Sequence, residues 1–187
     1  VEGKPRLFKS HWWSSDHMVP NGKSRFIYIM RNGLDVAVSF FHHTYALRLY
    51  DFHGNLDDFF ELFMSDDVDF GGWWQHCLGW WERSKVSDDV LWIHYEDMKR
   101  DPAAIFGRIA SFMGVQASKE RIDEVVKLTT VTAMKELAAG AQHKETFFRK
   151  EDGASHIRNG VVGESKQVLS EEQRARFMAR CEKEFAN

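Results

Sequence analysis

Three short stretches of this chain carry side chains suited to holding or transferring an anionic group. Arg31 follows the apolar run Phe26-Ile27-Tyr28-Ile29-Met30, and Ser39 falls in the second turn of the helix expected after it. A guanidinium, a hydroxyl and the partial positive charge of a helix N-terminus together favour a phosphate. A surface arginine beside a helix-interior serine is the plainer account of the same residues. The second stretch is Arg158-Asn159-Gly160-Val161-Val162-Gly163, with Lys166 beyond it. Its glycines let backbone N–H groups turn toward an anion, and the Arg158 fork matches two phosphate oxygens. A flexible basic turn would have the same composition. The third is Lys9-Ser10-His11, where a histidine at a strand's carboxyl end can act as a general base near neutral pH. A lone histidine is more often structural.

These residues need elements to position them. The run at 26–30 ends in Arg31-Asn32-Gly33, and Val90-Leu91-Trp92-Ile93-His94 is followed at once by Tyr95-Glu96-Asp97. Both read as strands buried on two faces, and Arg6-Leu7-Phe8-Lys9 as a further strand. Helical patterns cover roughly 35–49, 56–64 and 72–84. In the last, Trp73, Cys77, Trp80 and Ser84 share one face, with Trp74, Leu78 and Trp81 beside them. That spacing makes core packing the preferred role for Trp73, Trp74, Trp80 and Trp81.

Asp101-Pro102 reads as an N-cap and first helical position, with Gly114 as the stop of that helix after about Phe112. Ser118 is expected to cap the next helix, a short one begins near Val131, and 140–165 reads as a long functional loop. Ser170-Glu171-Glu172-Gln173 fits a capping box for a helix to about Phe185. Strands separated by helices imply an α/β domain with a mainly parallel sheet. One domain over 1–187 is expected.

Composition narrows the function classes. The 187 residues are 43% hydrophobic and 28% charged, which is ordinary for a globular chain. Lys+Arg 25 against Asp+Glu 28 gives a net charge of −3, which argues against a general nucleic-acid binder. No apolar run approaches the ~20 residues of a membrane helix. Cys77 and Cys181 are far apart, and His42-His43 is the only adjacent histidine pair. Neighbours on a helix point about 100° apart, so a shared metal is not expected. With no glycosylation sequon or signal-like segment, a cytoplasmic-type protein is expected.

Taken in order, the blocks do more. Lys9-Ser10-His11, Arg31-Asn32 through Asp35-Val36-Ala37-Val38-Ser39-Phe40-Phe41-His42, Tyr95-Glu96-Asp97-Met98-Lys99 and Arg158-x-Gly160-x-x-Gly163 follow one another along the chain. This strongly resembles the cytosolic-type sulfotransferase family, which uses 3′-phosphoadenosine 5′-phosphosulfate (PAPS). The likeness includes Gly72-Trp73-Trp74-Gln75-His76 through Trp80-Trp81.

The resemblance implies a parallel central sheet flanked by helices, related to the nucleotide kinases. It implies that Arg31, Ser39, Arg158 and the Gly160 backbone hold the cofactor's 3′-phosphate, that Tyr95 and Thr129 contact adenine, and that His11 is the catalytic base beside Lys9. PAPS would be the co-substrate, 3′-phosphoadenosine 5′-phosphate (PAP) the product, and no metal would be needed. It also places Phe41, His43 and the loop at Phe147-Phe148 near a small-molecule acceptor, a hydroxyl or amine compound.

Some features depart from the family pattern. Its phosphosulfate loop, with a lysine before Ser-Gly-Thr, has no match here, so the chain is expected to be the larger C-terminal part of its domain and feeble alone. Glu164-Ser165 stands where Asp-Trp is usual. The dimer motif from Lys166 to Ala175 is incomplete, so that dimer is not expected. A non-catalytic nucleotide-binding module is the main alternative. A nucleotide kinase would need a GxxxxGK[ST] loop, which is absent. A secretory carbohydrate sulfotransferase is disfavoured by the missing sequons and the Tyr-Glu-Asp-Met block.

Overall fold

The computed structural model describes residues 6–15, 24–139 and 157–186. The apolar runs form the expected strands, β1 (Phe26–Met30) and β2 (Val90–His94), paired in parallel with Phe26 opposite Val90 and Met30 opposite His94. This register brings both strands to an end at one level, so Arg31-Asn32 and Tyr95-Glu96 emerge side by side. The Asn32 N–H donates to Glu96 Oε1 at 3.0 Å, tying the two blocks together.

Helix α1 (Gly33–Ala46) starts at once because the Asn32 side chain accepts from the N–H groups of Leu34 and Asp35. A 3-10 turn (Arg48–Tyr50) leads to α2 (Leu56–Met64), which opens with a capping box between Asn55 and Asp58. Helix α3 (Trp73–Val86) returns the chain to β2, and α4 (Tyr95–Arg100) follows without a break. Next come α5 (Pro102–Phe112), capped by Asp101, and α6 (Lys119–Leu128), capped by Ser118. The remaining helices are α7 (Val131–Ala139), the single turn α8 (Ser165–Val168) and α9 (Glu171–Glu184), with the expected capping box at Ser170 and Gln173.

The core lies where α1, α2, α3 and α9 meet. Ala37, Val38, Phe59, Phe60, Trp74 and Phe177 are its buried centre. Arg180 of α9 stacks over the Trp74 ring at 3.9 Å and pairs with Asp66 at 2.5 Å, so a cation closes the apolar cluster. No helix of the described residues is long and apolar enough to cross a membrane.

Three sequence expectations need correction. Residues 6–9 join no ladder among the described residues, and Leu7 and Phe8 are exposed. A strand requires a partner for its N–H and C=O groups, and none pairs there. β1 alternates half-buried and exposed residues, with Ile29 49% exposed, because helices of the described residues cover only one face. On α3 the buried set is Trp74, Cys77 and Trp80, one stripe drawn from both expected faces. Trp73 packs at the core's margin and Trp81 is exposed.

Candidate functional site

Beside the carboxyl end of β1 lies a cavity of about 420 Å³. Ligands of open parallel sheets collect in this position. Lys9, His11, Arg31, Ser39, His43 and Arg158 all line it, although they come from three separate stretches of sequence. Phe40, Phe63, Phe70 and Trp73 supply apolar wall, and His42 and His76 add imidazoles.

Arg31 sits where β1 ends. Its Nη2 donates to the Val161 carbonyl at 3.0 Å, its guanidinium lies 4.8 Å from the Tyr95 ring, and its Nε is buried with no partner among the described residues. A buried donor of that kind on a cavity-lining side chain suits an anionic oxygen. Ser39 projects into the same cavity from α1. Arg158 forms a bidentate pair with Glu164, which fixes the guanidinium plane and engages two of its five N–H groups. His42, beside this pair, has its pKa held below the usual value by burial, then by the charge of Arg158, against an opposing effect of Glu164.

Gly160 has φ +60, and a Cβ there would come within 2.9 Å of Val131 and 3.4 Å of the Tyr95 hydroxyl. The glycine is therefore required both by its conformation and by close approach. The Tyr95 hydroxyl donates to the Gly160 carbonyl at 3.3 Å, so Tyr95 braces this turn from α4.

Asp35, which sequence reading passed over as a site residue, links the halves of this cradle. It is 1% exposed, and its carboxylate accepts from the Gly163 N–H at 2.6 Å and the Ser165 N–H at 3.0 Å, with Arg31 3.8 Å away. Burial pushes its pKa up. The hydrogen bonds from the Ser165 side chain and from the two backbone groups, with the Arg31 charge, outweigh burial and hold the carboxyl below its ordinary value. An i,i+4 spacing from Arg31 was the available signal.

His11 lies on a segment without regular structure, held in place by α3. The Trp12 carbonyl accepts from Trp80 Nε1 at 2.9 Å and lies 3.1 Å from His76 Nε2, and the Ser14 carbonyl accepts from Arg83 at 3.2 Å. The His11 ring stacks on Phe70 with centroids 4.2 Å apart. Desolvation on that stacked side, then the charges of Lys9 and His76, push the His11 pKa below 6.5.

Other named residues fall elsewhere. Phe41 packs against Phe52 and Phe59 at the core's edge, and Phe40 lines the cavity in its place. The helix period accounts for the difference: Phe41 shares the face of Leu34, Ala37 and Val38, whereas Val36, Ser39, Phe40 and His43 line the cavity. Thr129 ends α6, where its hydroxyl donates to the Val125 and Val126 carbonyls, and it does not line the cavity. Phe147 and Phe148 lie outside the described residues. No group of three or more metal-ligating side chains occurs among the described residues.

Comparison with known proteins shows the family and the fold. Residues 2–187 match the family described as Sulfotransferase domain. An amine sulfotransferase of Oryctolagus cuniculus is 32% identical over 92% of this chain and 59% of its own length. Sulfotransferase 1A1 of Bos taurus is 32% identical over 97% and 62% respectively. The chain thus spans about three fifths of the length of these curated relatives. The crystal structure of mouse sulfotransferase SULT7A1 complexed with PAP superposes with a TM-score of 0.76 at 28% identity, covering 88% of this chain and 59% of that one. Retinol dehydratase in complex with androsterone and PAP gives 0.74 at 27% identity, over 87% and 46%.

Proposed function

The chain belongs to the sulfotransferase family, and from that premise we propose that it forms the 3′-phosphate and acceptor sides of a PAPS-dependent sulfotransferase site. The carrying observation is that Arg31, Ser39 and Arg158 share one cavity with Lys9 and His11. In this reading Arg31, Ser39, Arg158 and the Gly160 backbone hold the 3′-phosphate. Tyr95 acts on the nucleotide through the turn it braces.

His11 accepts the proton of an acceptor hydroxyl or amine as the acceptor atom forms its bond to sulfur. The bond from sulfur to the 5′-phosphate oxygen breaks, and PAP leaves with that electron pair. Lys9 offsets the charge that develops on the transferring group. The low pKa of His11 keeps the imidazole neutral and able to take that proton at pH 7.

No lysine before Ser-Gly-Thr occurs in these 187 residues. That favours nucleotide binding as the activity of this chain by itself, with transfer belonging to a protein that also supplies such a loop.

Arg158→Ala tests the cradle. Calorimetric affinity for PAP is expected to fall by ~1.5–3 kcal/mol, the worth of a hydrogen bond to a charged group, with little change for 5′-AMP. Equal weakening of both nucleotides would remove Arg158 from the 3′-phosphate site.

A further inference from the structure

We propose that His76 is the positioning residue of His11: braced by Tyr28, it holds Trp12 and Trp13 and so keeps the His11 ring stacked on Phe70 at the cavity wall. The inference rests on the sulfotransferase reading above, in which His11 is the base. His11 lies on a segment without regular structure, so its placement depends on what the residues after it touch. His76 Nε2 lies 3.1 Å from the Trp12 carbonyl, and its ring meets the Trp13 indole edge-on, with centroids 5.4 Å apart. A carbonyl oxygen only accepts, so Nε2 carries the proton of this imidazole. Nδ1 of the neutral ring is then an acceptor, and the Tyr28 hydroxyl lies 3.0 Å from it. Burial, then the charge of Cys77, pushes the Tyr28 pKa up, so the hydroxyl keeps its proton and donates it to this bond. Tyr28 thus sets both the tautomer and the plane of His76.

The surroundings fix each member of this chain. Tyr28 projects from β1, and its ring stacks on Trp92 at 4.8 Å and on Trp80 at 5.7 Å. Arg31 follows at the end of the same strand, so one element places a 3′-phosphate ligand and the support of the base. Trp80 Nε1 donates to the Trp12 carbonyl at 2.9 Å, which fills the second lone pair of that oxygen. Two glycines let the segment approach α3. A Cβ at Gly71 would come within 2.6 Å of the Trp13 indole, and one at Gly79 within 2.6 Å of Ser14 Oγ. On the other side Phe70, with φ +69, presents its ring to His11 at 4.2 Å. That conformation costs a non-glycine residue energy and recurs at functional sites. His76 also lines the cavity, whereas Trp80 is buried in the fold. The charges that act on His11 are Lys9, from its own segment, and His76, from α3.

The test follows the histidine ring signals of the chain by NMR, with the His11 signal assigned by its loss in His11→Ala. In the unaltered chain His11 should titrate below the ordinary 6.5 and carry a ring-current shift from Phe70. His76→Gln and His76→Leu both remove the imidazole charge, but only glutamine can still donate to the Trp12 carbonyl. His76→Leu should therefore raise the His11 pKa to about 6.5 and erase the ring-current shift, while His76→Gln keeps most of both. Tyr28→Phe should move both readings in the direction of His76→Leu by a smaller step, and it replaces that variant if His76→Leu does not fold. The preference for PAP over 5′-AMP should persist in both His76 variants. A His11 signal that is the same in every variant, equal changes in His76→Gln and His76→Leu, or a lost preference for PAP would overturn the positioning role. Failure of PAP to bind the unaltered chain would contradict the proposed function, while the His11 signal is still read without nucleotide.

Discussion

Replacing His11 by alanine is expected to lower turnover of the sulfotransferase by about 10²–10⁴-fold, the usual contribution of a positioned general base. PAP affinity should change little, because the residues assigned to the 3′-phosphate come from the end of β1, from α1 and from the 158–165 segment. The pH dependence follows from the same residue. With its pKa below 6.5, His11 is neutral through the neutral range, and the acid limb of the rate profile should lie below pH 6.5. Alanine should remove that limb. A His11→Ala variant that loses PAP binding instead would show that His11 is a structural residue.

The second large effect is expected at Asp35. Asparagine keeps one acceptor oxygen but turns its NH₂ toward a backbone N–H, and it removes the negative charge beside Arg31. Breaking this buried, charge-assisted set should cost about 2–4 kcal/mol of stability, read by denaturant unfolding. It should also free the 158–165 segment and lower the ratio of PAP to 5′-AMP affinity, which a purely structural role elsewhere would leave alone. Because the folded pKa of Asp35 is depressed below 3.8, its contribution is fully present above that value and is lost as pH falls through the folded pKa. Unchanged stability together with an unchanged nucleotide ratio would contradict the assignment.

Much of this arrangement was legible in the chain. The unbroken apolar runs at 26–30 and 90–94 announced strands, and Asp101, Ser118 and Ser170 marked helix starts by residue type. Those signals are local. The misses concern what packs on what. Ile27 and Ile29 have the composition of a two-sided strand, but burial of the second face depends on a layer that composition does not reveal. Phe40 and Phe41 are alike as residues, and only the phase of α1 decides which lines the cavity. Asp35 was hidden because its partners, Gly163 and Ser165, lie more than a hundred positions along the chain. Phe70 was hidden because its left-handed backbone leaves no mark in sequence.

The central claim is that these residues form a site for a 3′-phosphorylated adenosine nucleotide, and calorimetric titration of this chain with PAP, with 5′-AMP as control, tests it most directly. The account predicts saturable one-to-one binding of PAP and a clear preference for it over 5′-AMP. Equal affinity for the two nucleotides in a chain shown to be folded would contradict the 3′-phosphate cradle, and so would no binding of either.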